Sequence, residues 1–415
     1  MPAMEYYGTL GPACASVDCL AEMFEAGMTG MRLNLSHVTL KGASAQLAAF
    51  HEAAGRVGVA AKLLVDLQGP ELRVGSMEMP VELTEGSPIM LGQGGIPVPA
   101  LLLPYLEPGQ TVLLDDGKLL LTVTENRGAS VCARVERGGT LRGRKSIALP
   151  GVRGLRPPAL TEADMENIRC AVEYGVTGVM QPFVRDRADL LAVRQALDAN
   201  GGRQIRLFAK IENLDGVGQL DELLPACDEI VIARGDLGNA VPLWELPALQ
   251  KRIAARCCAA GKPFMVVTQM LASMENSPVP TRAEVSDIFN AVVDGATSVM
   301  VTGETAVGRY PAETIRYLVK TAEAAEQWLR SRERRMKIKQ LYHLHIREKT
   351  SNLSRMPIGR RPHRIPTDFL RFDRVSSRKS YLLFELEVKK DGKRGKKAGQ
   401  KLVKRPKGKK KEKRR

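Results

Sequence analysis

Two stretches carry ionisable side chains where apolar runs stop. They are Phe208-Ala209-Lys210-Ile211-Glu212-Asn213 and, one unit later, Ala233-Arg234-Gly235-Asp236-Leu237-Gly238. In a strand, residues i and i+2 share a face, so Lys210 and Glu212 point the same way. A buried parallel strand reads as an almost unbroken apolar run, so charge at its C-terminal end needs a reason. In an α/β barrel that end is where active sites are built, and two successive strands would set Glu212 beside Asp236. Two carboxylates next to a lysine suit Mg²⁺ with an anionic substrate: oxygen ligands for the metal, a point charge for a phosphate. The competing reading is a structural Lys–Glu pair with an unrelated Asp in a turn.

The elements that must position these residues alternate between strand and helix. Strands are expected from about residues 5, 30, 60, 178, 206, 229, 263 and 298. Helices follow at about 17–26, 40–57, 186–199, 214–224, 245–260, 281–294 and 311–329, and another opens at Thr161. Thr161-x-x-Asp164 and Thr281-x-x-Glu284 are capping-box patterns, and Pro311 suits a first helical turn. Met31-Arg32-Leu33-Asn34-Leu35-Ser36-His37 alternates cleanly, with Arg32, Asn34 and Ser36 on the polar face. On a solvent-facing sheet that is ordinary; in a barrel it lines the mouth. Asp66-Leu67-Gln68-Gly69-Pro70-Glu71-Leu72-Arg73 again ends a strand in charge and turn residues. Between about Ser76 and Ala148 short β-type runs (Ile89–Leu91, Thr111–Leu114, Lys118–Val123, Ser130–Val135) alternate with Gly, Pro and Asp-Asp-Gly turns. The fold class expected is therefore α/β, a TIM-type (β/α)8 barrel with a small all-β domain inserted after strand three. The divisions are 1–75 and 149–329 for the barrel, 76–148 for the insert and 330–415 for a basic tail.

The chain has 415 residues and a formal net charge of +16. Residues 330–415 hold 32 Lys+Arg against 8 Asp+Glu, so the rest of the chain is mildly acidic. The tail reads as disordered low complexity over 389–415, with one short helix at Met336–His345 and one strand at Tyr381–Val388. Basic tails bind polyanions through counterion release, yet no aromatic interleaving marks nucleic-acid recognition here. A frameshifted or read-through extension is the other reading of the tail. The 7 cysteines show no C-x-x-C pairing, which fits reduced thiols rather than a disulfide frame or zinc site. No signal segment or membrane-length apolar run is evident, so a cytoplasmic location is expected.

Eight motifs, in order over about residues 5–329, resemble pyruvate kinase. They are Thr9–Ala13, Met31–His37, Asp66–Arg73, Ala209–Asn213, Ala233–Gly238, Val267–Leu271, Pro280–Asp287 and Thr302–Ala306. The resemblance implies a barrel with a mobile β lid that moves a phosphoryl group from phosphoenolpyruvate to ADP, giving pyruvate and ATP. It further implies Glu212 and Asp236 as Mg²⁺ ligands and Lys210, Arg32 and Arg73 about the transferring group. Asn34, Ser36, Asp66 and the Leu67 carbonyl would form a K⁺ site, with Glu71 as in K⁺-dependent members. Gly235 and Asp236 would offer backbone N–H groups to the substrate carboxylate, and Thr268 would stand near C3 of the enolate. Thr302 and Glu304 would assist a proton relay. Pro12, His37, Arg73 and Lys145 would line the nucleotide site, although Pro12 and His37 can equally shape turns, Lys145 can belong to a solvated loop and Thr302 can cap a strand. A homo-oligomer through the barrel is implied as well.

The sequence departs from the family pattern at Leu67-Gln68, at Gln181-Pro182-Phe183 and at Asn239-Ala240. The family's usual C-terminal domain, which carries the effector site and one subunit interface, has no counterpart in residues 330–415. Effector regulation of the usual kind is therefore not expected. Two other readings stay open: a related barrel using Mg²⁺–enolate chemistry on another oxo-acid, such as an aldolase, and a non-enzymatic RNA-associated protein acting through the tail.

Overall fold

The computed structural model describes residues 3–152 and 155–354, with side chains described no further than residue 334. Eight parallel strands close into a barrel: β1 (Glu5–Thr9), β2 (Gly30–Asn34) and β3 (Lys62–Asp66), then, after an insert, β11 to β15. The insert supplies β4 (Val81–Leu83), β5 (Pro88–Gly92), β6 (Thr111–Leu114), β7 (Leu119–Asn126), β8 (Ser130–Arg137), β9 (Gly139–Leu141) and β10 (Ile147–Ala148). The barrel resumes with β11 (Gly178–Gln181), β12 (Arg206–Ile211), β13 (Glu229–Ala233), β14 (Phe264–Val267) and β15 (Ser298–Met300), which pairs with β1. The insert folds on its own antiparallel five-stranded sheet and a two-stranded ladder, around a separate apolar core that includes Leu91, Leu114, Leu121 and Val131. Three of its strands, β4, β9 and β10, are too short for alternation to announce them.

Helices α1 (Val17–Glu25), α2 (Ser44–Val57), α3 (Glu162–Cys170) and α4 (Arg187–Ala199) follow barrel strands, as do α5 (Leu214–Gly218) and α6 (Leu220–Leu223). The set is completed by α7 (Arg234–Ala240), α8 (Leu246–Ala259), α9 (Arg282–Val293), α10 (Gly303–Ala306) and α11 (Pro311–Ser354). Both capping boxes form: Thr161 with Asp164 opens α3, and Thr281 with Glu284 opens α9. Asp164 does more, for its carboxylate also accepts the N–H groups of Gln68 (2.7 Å) and Gly69 (3.0 Å), pinning the turn after β3.

Several boundaries differ from expectation for physical reasons. The helix expected over 214–224 is broken into α5, α6 and a 3₁₀ turn, because Gly216, Gly218 and Pro225 interrupt it. Strand β14 stops at Val267, since Thr268 and Gln269 turn to φ values of +80° and +54°. Helix α11 does not stop near Leu329; it runs to Ser354 and covers the short helix expected at 336–345. Nothing between Pro311 and Pro357 is Gly or Pro, so no residue terminates it. The strand expected at 381–388 and the disordered stretch 389–415 lie outside the described residues. Among the described residues no helix is long and apolar enough to cross a membrane.

The barrel has two apolar layers, and they explain the site. Tyr7, Leu64, Met180, Phe208, Val231, Met265, Val267 and Met300 fill the interior. Their neighbours Tyr6, Leu63, Val65, Leu207 and Ala209 face outward into the core beneath the helices. Period two then carries Lys210 and Glu212 onward from Phe208, and Asp66 onward from Leu64, into the mouth. Met31, Leu33 and Leu35 lie in the outer layer, which turns Arg32 and Asn34 inward.

Candidate active site

At the mouth, Asp66 is the hub. Its Oδ2 accepts from Arg32 Nη2 (2.6 Å) and Nε (3.0 Å) and from Lys210 Nζ (3.1 Å). Lys210 also reaches Glu212 Oε1 at 2.9 Å, and the other oxygen of Glu212 accepts the Phe183 N–H at 2.7 Å. β2, β3 and β12 thus contribute four charges of alternating sign, all well covered. Asp236, in the first turn of α7, comes within hydrogen-bond reach of Glu212. Removing such groups from water costs several kcal/mol per ion unless each finds partners.

The partners are incomplete, and the electrostatics record it. Burial raises the Asp66 carboxyl, but Lys210 and Arg32 beside it hold it below its ordinary range. Burial works against the Lys210 ammonium, yet Asp66 and Glu212 lift it above its ordinary value. Glu212 is pushed up to about 7 by burial, with Asp236 and Asp66 adding like charge against the pull of Lys210. Asp236 is raised as well, by burial first, with Glu71 and Asp116 adding to it against Lys210. Burial first, and neighbouring carboxylates second, thus disfavour the ionised form of both carboxyls, a cost that a divalent cation would relieve. Meanwhile Asp66 Oδ1 is buried with no hydrogen-bond partner, a spare hard acceptor beside Asn34 on the next strand.

Among the described residues no group of three or more His, Cys, Asp or Glu is arranged to hold a metal by itself. The donor set still fits Mg²⁺, which commonly takes one or two protein carboxylates and fills its shell with water and substrate oxygens. Glu212 and Asp236 are the adjacent carboxylates that could supply such a pair. The orphaned Asp66 oxygen, with Asn34, fits a monovalent cation held by oxygens. Ser36 and Leu67 belong to the turns that follow β2 and β3: the Ser36 N–H donates to Asn34 Oδ1 at 3.1 Å, and the Leu67 N–H to the Met180 carbonyl at 3.1 Å.

The remaining sequence-nominated residues lie at varied distances from this hub. Arg73 turns to Glu71 and to the Arg144 carbonyl (2.8 Å), and so ties the barrel to the root of the insert. Burial raises Glu71 despite Arg73. Lys145 pairs with Asp115 Oδ1 at 2.8 Å inside the insert. His37 follows the turn after β2, where burial and then Arg73 and Arg32 lower its basicity. Pro12 opens a single 3₁₀ turn after β1. Gly235 and Asp236 sit in the first turn of α7. Glu304 is buried and spent on backbone: it accepts from Leu271 N (3.0 Å), Thr302 N (2.6 Å) and Thr302 Oγ1 (3.2 Å). It braces the loop after β14 against the loop after β15.

A cleft separates barrel and insert, lined by Glu71, Asp116, Gly117, Phe183, Glu212 and Asp236 among others. The Asp115-Asp116-Gly117 turn hangs over it with three successive positive φ values of 49°, 56° and 78°. A Cβ on Gly117 would stand 3.0 Å from Asn239 Oδ1, so the turn seats directly against the end of α7. Gln181 does not line the mouth. It shares the outer face with Val179 and donates to the Ala159 carbonyl at 2.8 Å. Three residues with evident work here drew no role from sequence: Asp116, Asn239 and Arg234. The only signal for Arg234 was a charge immediately after a buried strand.

The family model for the pyruvate kinase barrel domain matches residues 3–315. The pyruvate kinase of Geobacillus stearothermophilus is 38% identical over 337 residues, covering 78% of this chain and 57% of that protein. That of Aeropyrum pernix is 38% identical over 322 residues, covering 76% of this chain and 69% of the relative. Pyruvate kinase PKLR of Homo sapiens is 38% identical over 342 residues, covering 76% and 59%. The chain thus spans under two thirds of the length of several of these relatives. It belongs to the pyruvate kinase family.

Proposed function

We propose that this chain transfers the phosphoryl group of phosphoenolpyruvate to ADP, yielding pyruvate and ATP. The observation that carries the reading is the inward cluster Arg32–Asp66–Lys210–Glu212, with Asp236 alongside. Family membership supports the same chemistry in general terms.

Phosphoryl transfer asks for little covalent help from a protein. It needs an aligned donor and acceptor and positive charge around the equatorial oxygens. Lys210 is kept protonated by Asp66 and Glu212 and can contact the transferring group throughout. Arg32, fixed by two bonds to Asp66, adds a second cation whose direction is set before substrate arrives. Glu212 and Asp236 would hold Mg²⁺, which supplies Lewis-acid stabilisation of the enolate oxygen and phosphoryl charge when bound. Asn34, Ser36, Asp66 and the Leu67 carbonyl are the proposed K⁺ ligands. Gly235 and Asp236 offer backbone N–H groups to the substrate carboxylate. His37, Pro12, Arg73 and Lys145 are proposed for the nucleotide side of the cleft. The enolate left by transfer takes a proton at C3 from the Thr268 side. Glu304 would act there through the loop it braces.

The test is ATP and pyruvate formation from phosphoenolpyruvate and ADP by the full chain, with Lys210→Ala as the control. Wild-type turnover lost in the variant supports the reading; equal turnover in both would sink the proposed role of the lysine.

A further inference from the structure

Thr268 is in an unusual conformation, and the residues around it account for that. A β-branched residue at positive φ is a steric outlier, and here two non-glycine residues in succession, Thr268 and Gln269, sit at +80° and +54°. Such a conformation persists only where its surroundings over-determine it. Arg234, the first residue of α7, does so. Its Nη2 donates to the Thr268 carbonyl at 2.6 Å and its Nε to the Val267 carbonyl at 3.3 Å. Its Nη1 is anchored at 2.5 Å by Asp287 Oδ2 from α9, and the Arg234 side chain is only 12% exposed. The next residue, Gly235, leaves room for the threonine: a Cβ there would stand 3.1 Å from Thr268 Cγ2. One unit of the barrel thus grips the backbone of the next and clears space for its side chain.

We propose that Arg234, oriented by Asp287, is the positioning residue that aims the Thr268 hydroxyl at C3 of the enolate. The inference rests on the phosphoryl-transfer reading above and adds the device that makes its last step directional. In that step the Thr268 O–H bond breaks as a C3–H bond forms. The enolate C–C double bond supplies the electron pair, the carbonyl of pyruvate forms, and Oγ1 regains a proton from water. Arg234 touches neither substrate nor proton. Its contribution is geometric, and a displacement of about 1 Å at a reacting group costs about 100-fold in rate.

The experiment uses the full chain with Mg²⁺, K⁺, ADP and phosphoenolpyruvate carrying deuterium at one C3 position, run in tritiated water. The handedness of the methyl group in the product is then read. Wild type should give one configuration. Arg234→Met should give a near-equal mixture, with turnover lower by about 10- to 100-fold. Asp287→Asn should show a smaller loss of the same kind, and Arg234→Lys should recover part of the handedness. Unchanged handedness in both Arg234→Met and Asp287→Asn would overturn the proposal, and Asp287→Asn decides alone if Arg234→Met does not fold. A crystal structure of Asp287→Asn or Arg234→Met keeping Thr268 and Gln269 at positive φ would overturn it independently of activity. Wild type that forms no pyruvate would count against the phosphoryl-transfer reading instead, and the structures of the variants would still judge the clamp.

Discussion

Charge is buried at both ends of this barrel, and the two ends treat it differently. On the floor, at the N-terminal ends of the strands, Glu5 pairs with Lys62 and Arg206 and accepts from the Tyr7 hydroxyl. Arg206 reaches Glu229 at 2.6 Å, and Glu229 also accepts from Ser298. Among the described residues, no buried floor side chain lacks a hydrogen-bond partner. At the mouth, by contrast, Asp66 Oδ1 has none, and burial with Asp236 beside it pushes Glu212 up. A closed network is what structure alone requires. A buried acceptor left without a partner at the C-terminal end of the strands is more than structure alone requires, and it marks the mouth as the candidate site.

Breaking the mouth should therefore abolish chemistry and breaking the floor should not. The largest effect is expected from Lys210→Ala, which removes the cation proposed to face the phosphoryl group and leaves Asp66 and Glu212 under-paired. Turnover should fall by at least about 1,000-fold, measured as ATP formed. Next, Glu212→Gln should weaken Mg²⁺ or Mn²⁺ binding by at least about 100-fold in direct titrations. In the wild type the same carboxyl, pushed up to about 7, must release its proton to the metal. Apparent Mn²⁺ affinity should then fall as pH drops below about 7, by up to about tenfold per pH unit, and stay level above it.

Smaller effects sharpen the contrast. Gly117→Val puts a side chain against Asn239 at a φ of 78° and should lift the insert's turn from the barrel. The KM for ADP should rise by about tenfold with less change in that for phosphoenolpyruvate. On the floor, Glu229→Gln should leave turnover within about twofold and change stability instead. Glu229 ionises ordinarily at 4.5 and is pushed up to about 7 by burial, against Arg206 and Ser298. Between those values the unfolded chain has lost the proton and the fold still holds it. Wild-type stability should therefore decline as pH rises across that window, by at most about 1.4 kcal/mol per pH unit. Denaturant melts across pH should show that slope flattened in Glu229→Gln; an identical slope would mean the group is not held protonated.

Much of this site was legible because period two is a strict rule. Phe208, Lys210 and Glu212 share a face, as do Arg32 and Asn34, and the outer layer of Met31, Leu33 and Leu35 fixes which face is inward. Less legible was whatever depends on partners far apart in sequence. Arg234 and Asp287 meet across the loop after β14, and no local pattern announces the meeting. Nor did a run of residues through Thr268 disclose that strand β14 ends in two left-handed residues, since Thr favours strands. Within the departure Gln181-Pro182-Phe183, the same alternation applied from Met180 sends Gln181 outward. No local pattern shows that both oxygens of Glu304 are engaged by the backbone of Leu271 and by Thr302. Helix α11 passes the expected end near residue 329 because no Gly or Pro stands there to stop it.

The central claim is that the open cluster at the mouth performs phosphoryl transfer with a divalent and a monovalent cation. Its most direct test is pyruvate formation from phosphoenolpyruvate and ADP by the full chain with Mg²⁺, in the presence and absence of K⁺. Turnover should require Mg²⁺ and rise with K⁺. Folded, Mg²⁺-supplied protein that forms no pyruvate with K⁺ present would contradict it, and turnover indifferent to K⁺ would remove the assignment of Asn34, Ser36, Asp66 and Leu67.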